Sequence, residues 1–296
     1  GGVNPIRIKS WIEKMMVERL EQKTSAVTTS VAECGNSWEE AFYRSVVRCF
    51  GLKINAIPTE LLAKTTPLKS LAKHKDSLFQ LEAILFGQAG LLESYTNEDE
   101  YQLSLKIEYN YLQHKLNLKP IDGAIWKFMR LRPPAFPTIR IAQLAMLIHK
   151  SPSLFSKLME VTSIKEAEEL LSVDTSDYWL THYSFGKQSP RRVKQVGKQM
   201  VETIILNSLV PFMFAYADFY SKPELKDTSL HLLEKLPAEK NSIIDGFQNL
   251  GIGSTSAFDS QALLHTKSNY CNTRKCIFCP IGSSILLKSS LSLQSH

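Results

Sequence analysis

Lys75-Asp76-Ser77-Leu78-Phe79-Gln80-Leu81-Glu82-Ala83-Ile84-Leu85-Phe86-Gly87-Gln88-Ala89-Gly90 is the stretch whose reading decides the fold. Asp76 is a helix-capping residue type, the run from Ser77 to Phe86 is apolar without the alternation of a strand, and Gly87 and Gly90 supply a stop. The same grammar recurs on either side. Ser37-Trp38-Glu39-Glu40 is a capping box ahead of Ala41, Phe42, Tyr43, Val46 and Val47, with Gly51 at the expected end. Glu98 to Lys115 places Tyr101, Leu105, Ile107, Tyr109 and Leu112 at apolar positions, Thr138 precedes a helix through Ile141, Leu144 and Ile148, and Ser163 with Glu166 forms another capping box. Strand signals are poor. Leu52 to Ile57 alternates weakly, and no glycine turn joins two such runs.

The expected class is therefore all-α: an irregular multi-helix bundle with a C-terminal hairpin and a cysteine-containing tail. Its 296 residues, 44% hydrophobic and 22% charged, suffice for one large core or two smaller ones. A single helical domain is expected over 3–288, with joints near 133–137 and 223 and a hairpin-plus-cysteine segment at 241–284. The start Gly1-Gly2-Val3 lacks methionine, so a further domain upstream is expected. The apolar window Ile204 to Phe219 is interrupted by Asn207, Ser208, Pro211 and Asp218 and reads as a buried helix, with no membrane partner. Five cysteines, three of them clustered, suit a reducing cytoplasm.

A net charge of +6 and a pI near 8.9 permit an anionic partner without requiring one. The distribution is more telling. Between Lys187 and Lys198 the chain carries five cations and no acid. Ser189 as cap and Pro190 at the first helical position would put Arg191, Lys194 and Lys198 on one face, with Arg192 beside them and Val193, Val196, Met200 and Ile204 opposite. That helix would offer a basic ridge to phosphates; the alternative is an ordinary solvated face. A second cationic element is the proline-rich connection from Arg130 to Gln143, where Arg130, Arg132 and Arg140 lead into a helix start able to hold an anion, or else simply lock the loop.

Two further signals lie downstream. Gly251-Ile252-Gly253-Ser254-Thr255-Ser256-Ala257 looks like the turn of a helix-hairpin-helix motif, whose glycines let backbone N–H groups face a DNA phosphate; a plain helix cap followed by a serine cap is the alternative. Cys271, Cys276 and Cys279 then follow in metal-site spacing, with zinc or an iron-sulfur cluster as the expected cofactor and His265 as candidate fourth ligand. Small packing thiols, or a Cys276–Cys279 disulfide, are the alternative.

The segments Asn36 to Tyr43 and Lys75 to Gly90, the arginine loop, and Asp259-Ser260-Gln261-Ala262-Leu263 leading to the cysteines resemble the bacterial domain of unknown function numbered twenty-eight fifty-one. The resemblance identifies the chain as the C-terminal helical portion of that family, and it implies an upstream segment loosely similar to a restriction-nuclease core. The hairpin followed by cysteines resembles in miniature the order in iron-sulfur DNA glycosylases, but their fourth cysteine and catalytic pair have no counterpart here. No nucleophile turn, P-loop or His-Glu-x-x-His motif is present in the sequence, so no catalytic activity is expected within it. Glu39, Glu40, Asp76 and Glu82 fit capping and helix-forming work, while His74, His114 and His149 stand isolated. The leading expectation is a nucleic-acid-associated helical module accessory to a nuclease-like domain. A helical interaction scaffold, marked by Phe212, Phe214, Tyr216, Phe219 and Tyr220, is the competing one.

Overall fold

A computed structural model describes residues 4–93, 99–284 and 286. The structure is 69% helical, and its one sheet among the described residues has two strands, so the all-α expectation holds. In chain order the helices are α1 (Pro5–Glu33), α2 (Trp38–Phe50), α3 (Ala56–Thr65), α4 (Leu68–Ala72), α5 (Leu78–Gln88), α6 (Glu100–Leu116), α7 (Pro137–Lys150), α8 (Leu154–Met159) and α9 (Ile164–Leu171). A hairpin of β1 (His182–Ser184) and β2 (Lys187–Gln188) follows, then α10 (Lys198–Ile204), α11 (Val210–Tyr220), α12 (Pro223–Lys235), α13 (Ser242–Asn249) and α14 (Ala257–Thr266).

The chain divides into two compact units: Ser30–Leu209, and Gly1–Thr29 with Val210–His296. The ends of the expected 3–288 domain, Val3 and residues 287–288, lie outside the described residues.

In the larger unit α5 is the hub. Every residue from Leu81 to Gln88 is buried, as a helix apolar all round must be. It packs against α6 and α7. Gly87 permits this: a Cβ there would sit 2.1 Å from the Tyr109 ring of α6. Gly87 is thus inside the helix, and the stop is Gly90, whose φ of +66° suits glycine. The cap also differs from expectation. Ser77, not Asp76, accepts the Gln80 N–H, because the turn closed by Ser77 N–H on His74 C=O leaves Ser77 as the last extended residue.

Ser37 and Ser163 cap α2 and α9 as expected. Thr138 does not cap α7, which begins at Pro137; its hydroxyl instead donates to the Tyr183 carbonyl at 2.5 Å. Asp99 caps α6, and Glu98 lies outside the described residues. Leu52 to Ile57 forms no strand: Leu52 turns at φ +52° into α3. The actual hairpin closes around Gly186 at φ +68°, pairing His182 with Gln188 and Ser184 with Lys187.

In the smaller unit α12 packs on α11 and α14, and α13 on α14. Ile244, Ile252 and Leu263 form a small core with Ile8 and Ile12 of α1. Trp11 donates its indole N–H to Thr266 at 3.2 Å, and Arg19 its Nε to Gln261 at 2.5 Å.

Pro211 does not interrupt the apolar window as expected. A π-helical turn, Ile205–Leu209, precedes it and accommodates its missing N–H, so Lys198–Tyr220 runs as one helical stretch. By length and composition this is one helix among the described residues able to cross a membrane, yet 78% of its most apolar window is buried.

Candidate functional site

The cation-rich segment belongs to the larger unit and is not the expected helix. Residues 189–197 form a strap without regular secondary structure, and α10 begins only at Lys198. Its main chain is pinned repeatedly: Ser189 N–H donates to Thr181 C=O at 2.7 Å, Arg192 N–H to Leu180 C=O at 2.8 Å, and Val196 N–H to Val173 C=O at 2.9 Å. Those backbone bonds outcompete the helix that Ser189 and Pro190 would otherwise start. Consequently Arg191, Lys194 and Lys198 do not share a helical face, and Val193, expected on the apolar side, is exposed.

Within this strap Lys194 goes inward. It is 5% exposed, its ammonium donates to the carbonyls of Trp179, Leu180 and Arg192, and it lies 4.2 Å from the centre of the Tyr183 ring. Burial, then the Arg192 charge, lowers its pKa. Arg191, Arg192, Lys187 and Lys198 are exposed, and none forms an ion pair among the described residues.

The arginine loop divides in the same way. Arg130, at φ +63°, and Arg132 are exposed. Arg140 sits in the first turn of α7, where it donates to Gln143 Oε1 at 2.9 Å and leaves a buried Nε without a partner among the described residues. Burial pushes its pKa down to about 10. Gln143 in turn donates to the Lys194 carbonyl at 3.0 Å, so Arg140 and the strap are joined through one glutamine.

Gly251 and Gly253 belong to the smaller unit. Ile252 N–H reaches Phe247 C=O and Gly251 N–H reaches Gln248 C=O, both at 2.9 Å, with Gly251 at φ +82°. That is a Schellman ending of α13, with Ile252 tucked into the local core. Gly253 has open space where a side chain would go. At the start of α14, Ser256 accepts the Asp259 N–H, while the Asp259 carboxylate takes the Thr255 N–H and hydroxyl at 2.9 Å each. A protein carboxylate thus occupies the donors that a phosphate would use.

The cysteines follow on a π-helical extension of α14, Lys267–Cys271, and a 3-10 turn, Cys276–Phe278. Cys271 and Cys276 are exposed, and Cys279 is buried. Gly282 backs directly onto Cys276: a Cβ on Gly282 would lie 2.5 Å from the Cys276 carbonyl oxygen. Burial, and after it the neighbouring Cys279 thiol, raises the Cys271 pKa. His265, the candidate fourth ligand, is 1% exposed and held 3.1 Å from Glu18 Oε1, whose other oxygen accepts the Tyr270 hydroxyl at 2.9 Å. Among the described residues no three His, Cys, Asp or Glu side chains gather closely enough to hold an ion. As folded, the donors do not fit a resident metal.

A buried acid for which the sequence favours structural work over metal binding stands out. Glu82 is fully buried; its Oε2 accepts the Tyr101 hydroxyl at 2.6 Å and the Trp179 indole N–H at 3.2 Å. Burial raises its pKa against those bonds. Beside it, Tyr101 stacks on Tyr178 at 4.3 Å and Tyr178 on His182 at 4.1 Å. The Tyr178 hydroxyl donates to Asp99; burial raises the Asp99 pKa, but that bond and the N–H groups of Gln102 and Gly186 outweigh it and hold the carboxyl below its usual range. The signal was present in the sequence as the one acid of α5, set between apolar neighbours.

A family model described as protein of unknown function (DUF2851) matches residues 1–242. The match does not bear out the expected placement as the C-terminal portion of the family, and Gly251, Gly253, His265 and the three clustered cysteines lie beyond the matched residues. No curated protein and no solved structure matches the chain.

Proposed function

This chain belongs to the DUF2851 family, and we propose that it is a nucleic-acid-associated helical module whose strap, residues 187–198, lies along a phosphate backbone. The observation carrying this reading is the division of labour in the strap: Lys194 turns in and anchors, which leaves Lys187, Arg191, Arg192 and Lys198 outward without carboxylate partners among the described residues. A main chain fixed at three points holds the guanidinium groups at low entropic cost. Contacts of this kind supply salt-dependent affinity without reading sequence. Arg130 and Arg132 remain candidate phosphate contacts; Arg140 and Lys194 are structural, and Gly251 serves a helix end. The chain would then supply grip to a nuclease-like partner domain. The test is a salt-titrated binding assay with duplex and single-stranded DNA.

One observation favours a helical interaction scaffold instead. At the end of α11, Phe219 is 66% and Tyr220 46% exposed, with ring centres 4.9 Å apart. Phe212 and Phe214 are buried, so the expected five-residue aromatic patch shrinks chiefly to these two rings.

A further inference from the structure

We propose that the larger unit carries a binding site for a small monocarboxylate with an apolar body, in a cavity of about 520 Å³ walled by α2, α4, α7 and the start of α8. That volume lies in the range of small-molecule sites. The floor is apolar: Phe42 and Phe155, with ring centres 5.4 Å apart, together with Leu144 and Leu147, all buried.

The head-group contact is Arg44. Glu40 spends both carboxylate oxygens inside the protein, one on Arg44 Nε at 2.9 Å and the other on the Leu68 N–H at 2.8 Å. The guanidinium is therefore oriented through Nε, its two terminal nitrogens have no partner among the described residues, and Arg44 is one of the residues lining the cavity. A guanidinium held in this way presents a fork that matches a carboxylate with two parallel bonds. Lys69 and Lys75, both exposed at the cavity and without an ion pair among the described residues, add positive charge. Glu33, Glu39 and Glu40 also line it and balance the three cations, so the preference for a carboxylate rests on the unpartnered guanidinium nitrogens and not on net charge. A fixed fork over an aromatic and aliphatic floor selects an anion with an apolar tail. This site uses none of the strap residues and stands or falls apart from the nucleic-acid reading.

Calorimetric titration of the full chain with decanoate, decanol and acetate tests it. Decanoate binds measurably, decanol at least about tenfold more weakly because it lacks the charged partner, and acetate not detectably because it lacks the tail. Arg44→Lys keeps the charge but loses the fork, and weakens decanoate about tenfold without changing decanol. Ala72→Trp, at an exposed cavity-lining position, blocks both ligands while leaving the thermal transition in place. Equal affinity for decanoate and decanol, an unchanged decanoate affinity in Arg44→Lys, or no decanoate binding by a folded protein overturns the proposal.

Discussion

The Lys194 ammonium sits 4.2 Å from the centre of the Tyr183 ring while donating to carbonyls on the segment just before that tyrosine. A lysine from the most basic stretch of the chain is thereby spent on holding the stretch in place. Lys194→Met removes the donor from three carbonyls and lowers stability by about 1–3 kcal/mol, because buried acceptors lose their partner. Arg191→Ala and Arg192→Ala leave stability unchanged, since both side chains are exposed. Chemical denaturation of the three variants checks this; equal stability of all three would remove Lys194 from its anchoring role.

Glu82 gives a pH-dependent prediction. Its folded pKa is raised, so ionisation costs more in the fold than in the unfolded chain: the penalty is absent below the ordinary carboxyl range and grows as pH rises through the folded value. Glu82→Gln keeps an acceptor for Tyr101 and Trp179 without the charge. Its melting temperature should exceed wild type by about 2–4 °C at pH 7.5, with the gap closing near pH 4. A gap that is constant with pH, or wider in acid, would contradict the assignment.

The glycines separate by role. Gly87→Ala drives a methyl into the Tyr109 ring and costs about 1–3 kcal/mol through displaced packing between α5 and α6. Gly251→Ala costs about 1 kcal/mol for its left-handed backbone. Gly253→Ala, with open space around it, changes neither stability nor DNA affinity. Loss of DNA binding in Gly253→Ala would restore the hairpin as a phosphate site.

Anaerobically purified protein should carry neither zinc nor iron in stoichiometric amount by elemental analysis, because His265 is committed to Glu18 and the thiols are not gathered. One equivalent of either metal, lost in Cys276→Ser, would show that the tail rearranges to bind it.

Much of the fold was legible because capping is local. Ser37 and Ser163 lie beside the helices they start, and an apolar stretch such as Leu81 to Phe86 has to be enclosed wherever it falls. Positions that depend on distant partners were not legible. Thr138 looked like a cap until Tyr183 supplied an acceptor, and Ser189-Pro190 looked like a helix start until Thr181, Leu180 and Val173 offered carbonyls to a non-helical chain. Arg140 and Lys194 read as surface cations because nothing local marks a lysine that satisfies three carbonyls or an arginine under α7's first turn. The fork of Arg44 was hidden for the same reason: Glu40 reads as a capping-box acid, and its second role needs Leu68, far along the chain.

The most direct test of the central claim is the slope of log affinity against log salt for duplex DNA, compared between wild type and the Arg191→Ala, Arg192→Ala double variant. Loss of two phosphate contacts predicts a steep wild-type slope that becomes shallower by about 1.8 in the variant, with the fold intact. A flat wild-type response, or the same slope in both proteins, would contradict the account.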